Sequence, residues 1–489
     1  MNVLTKRTVT LLLAFLLAEV PVPAQNGIPA GTPGTAAATA PTVYSIETSS
    51  QSPLTGSITE GKASGEVLQL SMADAIERGL RQNLGLRLAG DSQTAARGVL
   101  WQERSSLLPN LSGRVSENAA QVDLAAEGFG KIVGQFPGFP LIVGPFGFFD
   151  ARATLTQSLV NINSLENMRS AGQSSAAAKL NYQDAREVVV LVVGSTYLAT
   201  VASAARVDSA QAQLQTAQAL YDQAVDLKKA GVSAGIDLLR AQVELQTRQQ
   251  QLIATRNGYA KQKLSLARTI GLPLGQEFAL TDKGREDTPV PVTIDDALQK
   301  AYAARADYQS ALAQVRSAEY SRSAATAEHL PSLSIYADYG AIGPTLSQLH
   351  GSFTTYAALQ IPIFAGNRAK GDALVADAVL QRDRQQLENL RAQIEQEVRA
   401  TLLDLQSSFD QVTVARSNMD LAQQTLVQAR DRFNAGATDN IEVVQAQESV
   451  ATANESYISS LYAYNLAQVE LARATGSAER SIHQDGKGK

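Results

Sequence analysis

Two periodicities divide this chain. In four places apolar and polar residues alternate. Leu111, Gly113 and Val115 alternate with Ser112, Arg114 and Ser116, and Ala151, Ala153 and Leu155 with Asp150, Arg152, Thr154 and Thr156. Leu333, Ile335, Ala337 and Tyr339 alternate with Ser334, Tyr336 and Asp338. Phe353, Thr355, Ala357, Leu359 and Ile361 alternate with Thr354, Tyr356, Ala358 and Gln360. A period of two predicts four strands of about ten residues, each with one apolar and one polar face. Elsewhere the period is helical. Leu387, Leu390, Ile394, Val398, Leu402 and Leu405 mark one face of a run, 372–435, that contains neither Gly nor Pro. Such a helix is about 96 Å long at 1.5 Å per residue. A helix of that length cannot bury itself in a globule and must pack in a bundle of similar helices.

The pattern occurs twice. Ser71-Met-Ala-Asp-Ala75 matches Thr293-Ile-Asp-Asp-Ala297, and Leu108-Pro-Asn-Leu-Ser112 matches Leu330-Pro-Ser-Leu-Ser334 at the same offset. Further on, Ala230-Gly-Val-Ser-Ala-Gly-Ile-Asp matches Ala435-Gly-Ala-Thr-Asp-Asn-Ile-Glu. Each copy reads as a short helix opened by a capping box (Ser71 to Asp74, Thr293 to Asp296), two strands, a long helix and a shorter returning helix. The first short helix runs to about residue 106, its counterpart to about 328. The long helices are expected over 173–230 and 372–435. Gly231 and Gly436 supply the left-handed turns that end them. The first strand pair flanks a Gly/Phe-rich loop, 119–148; the second flanks a short one, 340–352.

These patterns set the domain plan. Lys6 and Arg7 precede a short apolar run, and Val22-Pro-Ala24 offers a cleavage site, so residues 1–24 read as an export signal. The run is too short for a transmembrane anchor, and no other apolar run approaches spanning length. Residues 25–66, rich in Ala, Thr, Ser, Pro and Gly, read as a flexible segment. The first repeat covers 67–281, a linker 282–291, the second repeat 292–478 and a flexible tail 479–489. The chain is 44% apolar and only 6% aromatic, the composition of long helices packed through small residues. With a net charge of −5 and interspersed signs it offers no face for nucleic acid. It has no cysteine, hence neither disulfides nor the residue that carries a lipid anchor.

Strands with one apolar and one polar face suit the wall of an outer-membrane barrel. In lipid such a sheet must close without an edge, and four strands are too few to close around a lumen. The chain must therefore pool its strands with other copies. The number three is not forced by this argument.

The double repeat, the Leu-Pro-x-Leu-Ser segments and the two Ala-Gly-x-[Ser/Thr]-x-x-Ile-[Asp/Glu] turns resemble the TolC-like outer membrane factor family, over about residues 67–478. The resemblance implies a mostly α fold with a membrane β-barrel: a homotrimer whose twelve-stranded barrel in outer-membrane lipid continues into a periplasmic α-barrel of long antiparallel coiled-coil helices. It implies the exit duct of a tripartite efflux pump or of a one-step protein secretion system. The partners would be a periplasmic adaptor and an inner-membrane transporter of RND, ABC or MFS type. The location would be the outer membrane of a Gram-negative-type bacterium, with most of the mass in the periplasm. The tips that meet the adaptor would be Gly231, Val232, Ser233, Gly436, Ala437 and Thr438. The constriction would lie at Glu442, with Gln445 where the best-studied member has a second acid and Asp439 as a compensating charge. The residue-level alternative for Glu442 is a solvated charge at a helix start.

Other chemistry finds little support. His329, His350 and His483 are scattered, with no ligand at metal spacing. Gly128-Phe-Gly130 lacks the strand–helix context of a nucleotide loop, and no hydrolase, protease or P-loop motif occurs. No enzyme activity, cofactor or metal is expected. Tyr336, Tyr339, Phe353 and Tyr356 read as membrane-interface aromatics, with ordinary strand packing as the alternative, and Trp101 as a packing residue within its helix. Two rival functions remain at this point: a soluble periplasmic adaptor, and a coiled-coil spacer. The first calls for one hairpin flanked by β-domains rather than two full repeats; the second needs no amphipathic strands.

Overall fold

The computed structural model describes residues 53–133, 140–231, 234–282, 284, 292–438 and 440–480. The expected signal, most of the linker and most of the tail lie outside them. After a short 3-10 turn, Pro53–Thr55, the elements are β1 (Leu68–Leu70), α1 (Met72–Gln82), α2 (Leu84–Ser105), β2 (Asn110–Asp123), α3 (Gly130–Val133), β3 (Ile142–Val160), α4 (Ile162–Lys229) and α5 (Gly235–Thr269). The second half follows with β4 (Phe278–Leu280), α6 (Ile294–Ala304), α7 (Ala306–Ala327), β5 (Ser332–Gly343), β6 (His350–Gln360), α8 (Arg368–Asn434) and α9 (Asn440–Ala474). Two helices, two strands, a long helix and a returning helix thus occur twice.

Local sequence accounts for most boundaries. Ser71 closes a full capping box with Asp74. Thr293 accepts from the Asp296 amide in the matching place. The expected single helix before each strand pair is broken, however. Asn83 and Arg305 adopt extended backbone (φ −63°, ψ 127° and φ −66°, ψ 122°), so each run is two helices set at an angle. Asn83 then caps α2 by accepting from the Leu86 amide. Both long helices start earlier than the expected 173 and 372, because Gly172 and Gly371 are accommodated inside α4 and α8.

The four long strands form one antiparallel sheet in the order β2-β3-β5-β6. Register puts Ser112, Thr154, Asp338 and Thr354 on one face, and Gly113, Ala153, Tyr339 and Phe353 on the other. The first face is polar across all four strands. The second is apolar, with Tyr339 and Phe353 paired and 73% and 77% exposed. Tyr336 and Tyr356 stack on the polar face instead, ring centroids 5.0 Å apart. Two of the four expected interface aromatics therefore lie on the polar face. β2 and β3 also run well into the Gly/Phe-rich segment read as a loop.

The main core gathers where α1, α4 and α5 meet: Leu70, Ile76, Val189, Val190, Val193, Tyr197, Leu266, Ile270 and Phe278. Here the reading that no later run approaches spanning length needs correction. α4 carries a stretch long and apolar enough to cross a bilayer, but Val189, Val190 and Val193 of α4 are buried against protein in this cluster. Part of the segment read as flexible also docks here. Leu54 packs on the cluster, and the Ser57 amide donates to the Arg268 carbonyl at 3.1 Å. β1 and β4 pair in parallel beside it. Trp101 does not pack within its helix: it is 67% exposed on α2.

Candidate functional site

The long helices end as the sequence requires. Gly231 and Gly436 have φ +74° and +68°. At the second tip the Ala437 amide donates to the Arg432 carbonyl and the Gly436 amide to the Phe433 carbonyl, the paired bonds that close a helix on a left-handed residue. Val232, Ser233 and Asp439 lie outside the described residues. Ala437 is exposed at the second tip and Thr438 half-buried.

Glu442, in the first turn of α9, is not a free carboxylate. It accepts from the Thr438 hydroxyl and lies 3.5 Å from the Arg432 guanidinium across the turn. Asn440 is buried, and its amide donates to the Asp237 carbonyl of α5, tying the two tips together. Gln445 is exposed and lines an open groove of about 390 Å³ with Ile236, Leu239, Val243, Ile441 and Val444. The sequence thus located an acid at the tip but not its cationic partner, which sits on the preceding helix.

At the other end lies the polar face of the sheet. It carries Arg152, bonded to Asp150 and Asp338 at 2.8 and 2.9 Å. Asn110, Ser112, Arg114 and Ser116 continue that face on β2. The outer edges of β2 and β6 pair with no strand among the described residues.

Between tips and sheet, a charged cluster escaped sequence reading. Arg305, 4% exposed, donates to both oxygens of Asp307, to Glu397 at 2.7 Å and to the Ala474 carbonyl at 3.3 Å. Arg473 reaches Asp184 at 2.5 Å and lies 3.8 Å from Asp307. Burial pushes the Asp184 carboxyl up, against the pull of Arg473. Burial also works to raise Asp307, but the bonds from Arg305 outweigh it and hold that group below its ordinary value. The cluster joins α4, α7, α8 and α9. Its one sequence signal is that Arg305 aligns with Asn83, the matching helix break. Among the described residues no cluster of His, Cys, Asp or Glu is arranged to hold a metal.

A family described as outer membrane efflux protein matches residues 75–272 and 297–477. The pyoverdine export outer membrane protein OpmQ of Pseudomonas putida is 25% identical over 336 residues, 67% of this chain and 70% of that one. The toluene efflux pump outer membrane protein TtgF, also of Pseudomonas putida, is 22% identical over 84% of each. Among solved structures, the Campylobacter jejuni CmeC outer membrane channel superposes with a TM-score of 0.72 at 16% identity, over 93% of this chain and 98% of that chain.

Proposed function

The chain belongs to the outer membrane efflux protein family, and on that premise we propose that three copies of it close one continuous exit duct. It is an outer-membrane exit duct for efflux, with a large periplasmic portion. The family consists of channels rather than enzymes.

The observation that carries the trimer is the open four-stranded sheet, apolar on one face and polar on the other. In lipid its two edges must find strands. Two copies would give eight strands, and a barrel of that size is filled by its own side chains. Three copies give twelve, the smallest multiple of four that leaves a lumen. The polar face, with its Asp150–Arg152–Asp338 cluster, then lines the lumen, and Tyr339, Phe353 and Leu359 meet lipid. The long helices continue the wall into the periplasm.

As part of a tripartite pump the duct works with a periplasmic adaptor and an inner-membrane transporter of RND, ABC or MFS type. The tips at Gly231, Val232, Ser233, Gly436, Ala437 and Thr438 would receive the adaptor. Glu442, Gln445 and Asp439 would line the narrow periplasmic end. The cargo inferred is a small molecule rather than a protein. Its support is that the relatives' names specify pyoverdine and toluene. Mass measurement of the detergent-extracted protein tests the assembly: a trimer is expected, and a stable monomer or dimer refutes it.

A further inference from the structure

The two hairpins of the sheet end at different heights. β5 and β6 stop at Gly343 and His350. Phe149 of β3 is the last residue with a β5 partner, yet β2 and β3 stay paired out to Asp123 and Ile142. The β2–β3 ribbon therefore overhangs the rim set by its neighbour. At that height its polar face changes character. Below the rim the face carries Ser112, Arg114, Ser116, Asp150, Arg152 and Thr154. Above it, Asn118 pairs with Phe148 and Ala120 with Phe146 on the same face. The two rings stack with centroids 6.3 Å apart, and Phe146 is 41% exposed. An irregularity in the ladder between Ala120 and Val122 sits beside them, the kind of bulge that bends a strand and re-aims its side chains.

We propose that Phe146 and Phe148, contributed by all three copies, form an apolar collar at the outer mouth of the duct that resists inward passage of hydrated solutes. The proposal rests on the trimeric reading above, because only closure of the barrel turns the polar face of the sheet inward. The partners of each ring pair are then the same rings on the other two copies. They are reached as the overhanging ribbons lean over the opening. A hydrated solute gains no hydrogen bonds from such a ring and must shed water to pass, the barrier that apolar constrictions raise in channels. An apolar or aromatic cargo arriving from within meets no such cost.

The absence of cysteine makes a direct test available. Ser112→Cys places a single thiol on the luminal face below the collar, and Ser347→Cys places one on the outer β5–β6 turn. Intact cells are exposed to a maleimide-linked polyethylene glycol, and labelling rates are compared with and without Phe146→Ser plus Phe148→Ser. Removal of the rings is expected to speed labelling at Ser112→Cys several-fold and to leave Ser347→Cys unchanged. A trimer with an unchanged Ser112→Cys rate overturns the collar, whereas a parent protein that is not trimeric overturns the assembly reading itself. If the double variant fails to reach the membrane, the opposite change decides: Asn118→Phe adds a ring to the same face. It is expected to slow labelling, and an unaltered rate refutes the proposal.

Discussion

At the break between α1 and α2 the first repeat buries an amide, Asn83; at the matching break between α6 and α7 the second buries a guanidinium, Arg305. The backbone is nearly the same at both. Their surroundings are not. Asn83 is satisfied locally, donating to the Leu54 carbonyl and accepting from the Leu86 amide, beneath a broad apolar cluster. Arg305 has a smaller apolar cluster beside it, centred on Ala297, Ala301, Ile394 and Val398. Its donors reach carboxylates on α7 and α8 and the last carbonyl of α9. An amide asks for few partners and can be fixed by its own segment. A buried guanidinium asks for many, and so it pins four helices to one point. The first junction is held by area, the second by geometry.

The largest effect should therefore come from Arg305→Ala. It leaves Asp307 without its two-pronged partner, and breaking a buried pair typically costs about 3–5 kcal/mol. Asn83→Ala removes one cap and orphans the Leu54 carbonyl, at a cost of about 1–3 kcal/mol. Denaturant unfolding of the detergent-solubilised protein should rank the two in that order. The reverse order would mean that the apolar junction, not the charged one, carries the fold.

Glycines sharpen the comparison further. Gly271 and Gly476 end α5 and α9 at the two junctions with φ +73° and +68°. A Cβ on Gly476 would stand 2.8 Å from the Ala304 carbonyl carbon and the Arg305 nitrogen, and one on Gly271 would stand 2.7 Å from the Gln82 Cβ and 2.9 Å from the Ile58 oxygen. At the tips, Gly231 and Gly436 have the same backbone with open space around them. Alanine at a tip thus meets only the left-handed strain of about 1–2 kcal/mol. Alanine at a junction also displaces backbone, so Gly476→Ala and Gly271→Ala should reduce folded yield where Gly231→Ala and Gly436→Ala do not. Equal yields on membrane blots would contradict this.

What was legible in the sequence follows the same division between local and distant causes. The strand faces were readable because a period of two needs only neighbouring residues. So were the tip glycines, because no other residue accepts that backbone cheaply. The breaks at Asn83 and Arg305 were not, since the helical pattern continues through both, and Arg305 finds its partners Glu397 and Ala474 on other helices. The parallel pairing of β1 with β4 joins segments more than 200 residues apart and leaves no local trace. The outer half of β3 looked like loop because Gly and Phe interrupt the alternation that marks a strand, and the outer end of β2 because Ala119 and Ala120 stand side by side. Glu442 was placed at the tip, but its bond to Arg432 depends on how the turn closes.

Acid should separate the junctions as well. Asp307 is held below its ordinary value, so its stabilising contribution is complete above the usual carboxylate range and is lost as pH falls through it. Asp184 and Glu187, raised by burial, act in the opposite sense: their contribution is present at low pH and is lost as pH rises through their raised values. Asn83 does not titrate. Unfolding midpoints recorded between about pH 5 and pH 3 should fall less steeply for Asp307→Asn than for the parent, while Asn83→Ala keeps the parent slope. Parallel curves for all three would remove Asp307 from the acid response.

The smallest effect is expected at the tip, where the same pair of charge types meets water. Arg432 and Glu442 are 3.5 Å apart, the first exposed and the second half-buried, whereas Arg305 is buried. An exposed pair is worth at most about 1 kcal/mol, so neither Arg432→Gln nor Glu442→Gln should change folded yield. Their electrical effects should differ in sign. If three copies bring this pair to a narrow periplasmic entrance, Arg432 offsets each carboxylate, and the ring carries little net charge. Glu442→Gln then leaves three unopposed guanidinium groups and lowers cation over anion selectivity in planar bilayers. Arg432→Gln leaves three unopposed carboxylates and raises it. Gln445→Ala removes no charge and should do neither. Salt screens such charges over about 8 Å at physiological ionic strength, so both shifts should shrink as salt rises. Opposite shifts at low salt would place the pair on the conduction path. Two variants with parent selectivity would place it on the outer face of the tip, where an adaptor rather than an ion meets it.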